Sequence, residues 1–332
     1  LGRNGIQERN LIGTVAVTGA TGFIGRHLTA SLIWRGVTVR AIIRPGSRSA
    51  DPPGATIVRA PLEARPLADA FAGVDAVVHL AGVVSAVDAD TYAAINAEGT
   101  RAVAAAADAA GARLVHISSL AAAGPAHAST PRGEDDAPAP LTPYGRSKLD
   151  SERALLAFPS LRWTVLRPGV VYGPGDRAVL PLFKLAAGLV APVVGRPGAA
   201  YTFVYISDVV RAIEAALEGS SVGGTFFVGH PQPVTPRGLL ETIQKTIGRR
   251  GALVTVPMPI TRVAAEVCDV VGRMTGRAML INRWRYAELA AEGFVCRVDR
   301  MRDVLGVAAA VDLASGIAKT AEWYRREGWL RP

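Results

Sequence analysis

The sequence predicts an α/β fold, a doubly wound parallel sheet followed by a smaller C-terminal lobe. Three observations carry this. Short apolar strands alternate with helical stretches up to about Arg167; three glycines at three-residue spacing sit where the first strand must turn into the first helix; and after Pro168 the rhythm changes to Pro- and Gly-dense turns between helices. Alternation of this kind argues for parallel strands joined by crossover helices. A chain of 332 residues is long enough to bury such a core.

In chain order, residues 11–18, 37–43, 56–58, 75–80, 113–118 and 163–166 read as strands, being short, rich in Val and Ile, and bounded by Gly, Pro or Asp. The run Ala76-Val77-Val78-His79-Leu80 is nearly all apolar, as a strand covered on both faces must be. Residues 23–35, the Ala-rich 92–110 and 143–158 read as helices, and 128–143, rich in Pro and Asp, as an exposed loop. These segments define a nucleotide-binding domain over 11–168. Residues 169–330 form a mostly helical lobe interleaved with it, whose amphipathic stretch 260–274 is expected to be a lid or a core helix, with a membrane-surface role left open.

Composition removes several classes. Hydrophobic content of 49% with 20% charged residues is ordinary globular composition. Cys268 and Cys296 are far apart, offer no metal-ligand spacing, and suit packing in a reducing compartment. No metal is expected. The first ten residues lack the apolar stretch of a signal peptide, and no run approaches the ~20 apolar residues of a membrane span. A cytoplasmic protein without a span is therefore expected. The net charge of +9 comes from dispersed arginines without a basic block interleaved with aromatics, so no nucleic-acid partner is expected.

The segment Thr18-Gly19-Ala20-Thr21-Gly22-Phe23-Ile24-Gly25 follows the first strand directly. Gly19 permits the turn, Gly22 lets backbone approach a pyrophosphate, and Gly25 lets the helix pack on the sheet. The helix start offers unpaired N–H groups to the phosphates. This is a Rossmann-type cofactor turn, with Gly19, Thr21, Gly22, Phe23, Ile24 and Gly25 as its binding residues. The second strand ends in Arg44-Pro45-Gly46-Ser47-Arg48, where an acidic residue would select a free ribose hydroxyl. Arg44 and Arg48 instead suit a 2′-phosphate, which favours NADP(H) and leaves NAD(H) open.

Tyr144 and Lys148 stand four apart, on one face of a helix. A phenol near pKa ~10 transfers protons poorly at neutral pH, and a neighbouring ammonium should lower it. A hydroxyl must also hold the substrate oxygen as charge shifts onto it. Ser119 and Ser118, at the end of the 113–118 strand, both qualify.

At this point the chain resembles the extended short-chain dehydrogenases/reductases. The resemblance rests on the glycine turn and on Asp75-Ala76-Val77-Val78-His79-Leu80-Ala81-Gly82, Asn96-Ala97-Glu98-Gly99-Thr100, Ser118-Ser119 and Tyr144-Gly145-Arg146-Ser147-Lys148. It continues through Leu166-Arg167-Pro168-Gly169-Val170-Val171-Tyr172-Gly173-Pro174 and Phe203-Val204-Tyr205-Ile206-Ser207-Asp208. Ser119 matches the family's serine spacing, so the resemblance selects a Ser119, Tyr144, Lys148 triad in which Tyr144 and Lys148 also meet the cofactor. It further implies that Leu80, Ala81 and Gly82 line the cofactor, that Pro168 and the Val171 backbone meet the nicotinamide, and that Asn96 steadies the site. His79 is expected in the core. The family's Gly-Asp after the third strand is replaced by Ala60-Pro61-Leu62, which carries over Leu62 alone for the adenine.

The resemblance is nearest to the reductases similar to dihydroflavonol reductase and 3β-hydroxysteroid dehydrogenase. It implies reversible reduction of a small-molecule ketone or aldehyde, and it leaves a homodimer open. A nucleotide-sugar epimerase and a non-catalytic dinucleotide-binding protein are the alternatives. Against a dehydratase, Leu120-Ala121-Ala122 lacks the acidic pair used for elimination. Against an epimerase, Val170 and Tyr201 stand where the family's sugar-binding members carry Asn and Arg.

Overall fold

Val15 and Val17 join one buried cluster while Ala16 between them joins another, so the first strand is covered on both faces. In the computed structural model, which describes residues 13–219, 223–276, 279 and 281–330, this strand is β1 (Thr14–Thr18). The expected start at Leu11 lies outside the described residues. The chain continues through α1 (Phe23–Trp34), β2 (Thr38–Ile43), β3 (Thr56–Arg59), α2 (Ala64–Phe71), β4 (Ala76–His79), α3 (Ala89–Tyr92), α4 (Gly99–Ala109), β5 (Arg113–Ile117), α5 (Leu120–Ala123), α6 (Pro143–Leu155) and β6 (Trp163–Pro168). It goes on through β7 (Val170–Tyr172), α7 (Leu180–Ala186), β8 (Val190–Val193), β9 (Ala200–Tyr201), β10 (Phe203–Tyr205), α8 (Ile206–Glu218), β11 (Gly224–Val228), α9 (Pro236–Ile247) and β12 (Ala252–Thr255). The last elements are α10 (Met258–Thr275), α11 (Arg283–Ala290), β13 (Gly293–Phe294), α12 (Asp299–Asp303) and α13 (Leu313–Arg326).

Seven strands form one parallel sheet in the order β11-β6-β5-β4-β1-β2-β3. Winding reverses between β1 and β4. Such a switch point opens a crevice at the carboxyl ends of the strands, where a ligand can bind. The fold is therefore the expected Rossmann-type sheet. The seventh strand comes from late in the sequence, with β11 returning to pair β6.

Two features depart from the sequence reading. The stretch expected as one helix over 92–110 is α3, then a π-helical segment at Ala93–Glu98, then α4. The wider turn surrounds the buried Asn96, which accepts from Val83 N at 2.8 Å and donates to Val83 O at 3.0 Å and Ser147 Oγ at 2.9 Å. Beyond β6, three two-stranded parallel pairs (β7 with β10, β8 with β12, β9 with β13) accompany the helices. Each strand has only two to four residues, too few to show a period of two. Among the described residues no helix is long and apolar enough to cross a membrane.

Candidate active site

Gly19 turns the chain at φ +72°, and a Cβ there would stand 2.6 Å from Ala81 N. At Gly25 a Cβ would stand 2.2 Å from Gly19 O, so only glycine lets α1 close on the turn. The α1 N-terminus has no side-chain cap and no acidic residue in its first turn. Its amides are thus available to an anion, and the cradle fits a dinucleotide pyrophosphate. Leu80 and Ala81 leave β4 half-buried beside this turn, and Gly82 is exposed. A Cβ on Gly82 would lie 3.9 Å from Lys148 Nζ, so the cofactor turn and the catalytic helix meet here.

Arg44 and Arg48 are exposed in the loop after β2, and neither guanidinium has a partner among the described residues. Asp51, farther along the same loop, is engaged by Arg59 Nη2 at 3.1 and 3.0 Å. Leu62, half-buried after β3, packs against Gly99, where a Cβ would lie 3.2 Å from its Cδ1.

Thr142 caps α6 by accepting from Gly145 N at 3.2 Å, and Pro143 opens the helix without wasting a donor. Tyr144 is therefore held in the first turn and Lys148 one turn below. The Ser119 side chain lies near enough to Tyr144 to bear on its phenol, and it caps α5 by accepting from Ala121 N at 3.2 Å. Ser118 is occupied differently: its hydroxyl donates to Glu152. Arg167 grips that carboxylate with Nε at 2.9 Å and Nη2 at 2.6 Å. Pro168 is buried at the end of β6, and Val171 is half-buried in β7. All these groups gather at the carboxyl edge of the sheet.

The electrostatics correct one expectation. The Tyr144 phenol is not lowered; burial pushes it up to about 12, with Glu288 and Tyr92 adding to the rise and the Ser119 side chain and Arg285 opposing it. Lys148 does not bear on it because its ammonium is directed elsewhere, donating to Ile117 O at 2.7 Å. Burial lowers Lys148 itself to about 8, against an upward pull from Glu152.

Two buried histidines underlie Lys148. His79 bridges Thr18 Oγ1 at 2.7 Å and Thr100 Oγ1 at 3.0 Å, and its ring stacks on His116 at 5.3 Å. His116 reaches Ser151 Oγ at 2.8 Å. Burial, and then the Lys148 charge, hold His79 down to about 3 and His116 well below its usual value, so both are neutral.

Sequence reasoning missed the groups that close over Tyr144. The Tyr92 ring lies 5.9 Å from Tyr144 and 5.8 Å from Trp284 on α11. Glu288, also on α11, pairs with Arg285 Nη1 at 2.8 Å, accepts from Thr142 Oγ1 at 3.4 Å, and is raised by burial. The Tyr201 hydroxyl meets the Glu288 backbone carbonyl at 3.5 Å. No local motif marks these residues, because they converge from 92, 201 and 284–288.

Residues 15–229 match the NAD dependent epimerase/dehydratase family. The ceramide reductase of Caulobacter vibrioides is 29% identical, over 96% of this chain and 96% of its own. The sterol demethylase protein B of Methylococcus capsulatus is 30% identical, over 96% of this chain and 100% of its own. The solved structure of MoeE5 in complex with UDP-glucuronic acid and NAD is 27% identical, with a TM-score of 0.76, over 95% of this chain and 100% of that one.

Proposed function

The chain belongs to the NAD dependent epimerase/dehydratase family, in the extended short-chain dehydrogenases/reductases, and on that premise we propose that it reduces an apolar ketone or aldehyde to an alcohol. The observation that carries this reading is the placing of Tyr144 beside the Ser119 side chain and one turn above the buried Lys148, at the edge of a dinucleotide cradle.

The family is dependent on a nicotinamide dinucleotide, which when bound supplies the hydride for the carbonyl carbon. This chain would hold it with Gly19, Thr21, Gly22, Phe23, Ile24 and Gly25 at the phosphates, with Leu62, Leu80, Ala81 and Gly82 along the nucleotide, and with Pro168 and Val171 at the far end. Arg44 and Arg48, exposed and unpartnered, support NADP(H) over NAD(H). A phenol raised to about 12 is fully protonated at neutral pH. Tyr144 is thus a proton donor to the substrate oxygen, which suits the reductive direction. The Ser119 hydroxyl holds that oxygen as negative charge develops on it. Lys148, charged below about pH 8, lies one turn beneath Tyr144 and beside Gly82, where it would meet the cofactor.

The Tyr92 ring packs between Tyr144 and Trp284, and these aromatic surroundings of Tyr144 support an apolar substrate. In this reading residues 11–168 with β11 hold the cofactor, and the rest of 169–330 forms the substrate lobe. Two free cysteines support a reducing, cytoplasmic setting. The second reading, a nucleotide-sugar epimerase, is favoured by one comparison, the likeness to MoeE5 bound to UDP-glucuronic acid.

The test is a panel of apolar ketones and nucleotide sugars, following NADPH oxidation and product mass. At least one ketone should be reduced. Tyr144→Phe should lose ~10²–10⁴-fold in turnover while still binding cofactor. A Tyr144→Phe enzyme with more than about a tenth of wild-type turnover would refute the assignment.

A further inference from the structure

Glu288 is a carboxylate short of donors. Its side chain is only 17% exposed. Arg285 Nη1 donates to Oε2 at 2.8 Å, and the Thr142 hydroxyl donates to Oε1 at a long 3.4 Å. The guanidinium beside it favours the ionised form. An ionised carboxylate offers about four acceptor positions and no donor. Buried charge is stable only when it is well hydrogen-bonded. Among the described residues, Oε1 has no partner besides Thr142, so acceptor capacity is left over.

Its place in the fold puts that capacity beside the catalytic phenol. Thr142 is the N-cap of α6, two residues before Tyr144. Trp284, one turn earlier on α11 than Glu288, packs on Tyr92, whose ring lies 5.9 Å from Tyr144. The Tyr201 hydroxyl meets the Glu288 backbone carbonyl at 3.5 Å. Contacts from α3, α6 and β9 thus fix where this carboxylate stands.

Resting on the reading of the chain as a carbonyl reductase, we propose that Glu288 determines its specificity. Oε1 accepts a hydrogen bond from a hydroxyl or amide N–H that the substrate carries beside its carbonyl. The substrate class is then a ketone with an apolar body and one donor next to the reacting carbon. That donor takes up the capacity Thr142 leaves, and it fixes how the carbonyl is presented to Tyr144. An ether oxygen at the same place would face a carboxylate with no proton between them. A site built around a buried hydrogen-bonding group rejects an analogue that leaves it unpaired far more strongly than an apolar pocket rejects a spare methylene.

The test compares kcat/KM with NADPH on two matched pairs. One is a long-chain α-hydroxyketone against its methyl ether; the other is a secondary 3-oxoamide against its N-methyl form. Wild type should prefer the donor-bearing member of one pair by about tenfold or more, mainly through KM. The pair that shows the preference identifies the donor as hydroxyl or amide. Glu288→Gln keeps the size, but its amide can donate to an ether as well as accept, so it should largely level that pair. A carboxylate that merely docked α11 would slow both members alike and leave their ratio unchanged when replaced. Equal turnover of both members of each pair by wild type overturns the proposal while the reductase reading stands. A preference that survives Glu288→Gln also overturns it. Failure to reduce any of the four removes the proposal, and the reading falls with it only if the apolar-ketone panel is inert as well.

Discussion

Lys148 Nζ donates a 2.7 Å hydrogen bond to the backbone carbonyl of Ile117. The bond ties α6 to the end of β5, two residues before Ser119, and so fixes the spacing between Ser119 and Tyr144. It also holds an ammonium in a dry place. Folding lowers this group from 10.5 to about 8 through burial.

The consequence is a pH dependence with a definite sign. Between about pH 8 and 10.5 the unfolded chain keeps a proton that the folded chain has released. Stability therefore rises with pH across that window, relative to a protein lacking the group. Lys148→Met should show its stability difference from wild type move in wild type's favour by about 2 kcal/mol or more as pH rises from 7 to 10. Urea denaturation at several pH values measures it; a difference that stays flat contradicts the burial cost.

The second prediction concerns the Glu152–Arg167 pair under Ser118. Both side chains are buried, and the pair has two hydrogen bonds at 2.9 and 2.6 Å. Glu152→Gln leaves the guanidinium buried without its counter-charge, which costs about 3–5 kcal/mol. Adding Arg167→Met should recover a large part of that loss. If Glu152→Gln alone melts like wild type, the pair is not structural.

How much of this was legible in the sequence follows physical range. Gly19, Gly22 and Gly25 act through backbone within eight residues, and Tyr144 and Lys148 through one helical turn, so spacing alone brings each set together. Glu152 and Arg167 lie on adjacent elements and give no periodic signal. The stacked His79 and His116 come from neighbouring strands, and their approach depends on the register of β4 with β5. Glu288 bears on Tyr144, and Trp284 packs on Tyr92, only because the distant α11 comes to lie beside them. The amphipathic character of α10 was visible, but a hydrophobic stripe does not say which way it faces.

The third prediction concerns the cofactor. Arg44 and Arg48 carry unpaired charge after β2, while Asp51 is held by Arg59. NADPH should bind more tightly than NADH, and replacing both arginines with Ala should erase the difference while leaving NADH binding largely intact. A charge-assisted hydrogen bond contributes about 1.5–3 kcal/mol, or tenfold or more in affinity. Equal affinity of wild type for the two cofactors removes the role assigned to these arginines.

The last prediction separates a reductase from a nucleotide-sugar epimerase. A sugar diphosphate brings two phosphates into a closed site and needs cations or donors there, since desolvated charge is costly without them. The resemblance puts Val170 and Tyr201 where an amide and a guanidinium would stand. The structure adds an adverse charge: Glu288 lies by Tyr201 and acts on both Tyr144 and Tyr201. Its neighbour Arg285 is already committed to that carboxylate at 2.8 Å. Arg237 is occupied with Glu241 at 3.9 Å and Thr255 at 3.2 Å. Arg196 is exposed. A diphosphate beside Tyr201 would therefore meet the Glu288 carboxylate. Calorimetry should detect no binding of UDP-, GDP- or dTDP-sugars to the NADPH-loaded protein, whereas an apolar ketone should be reduced. Affinity near micromolar for any nucleotide sugar would reverse the assignment, and Tyr201 would then be the residue to replace first.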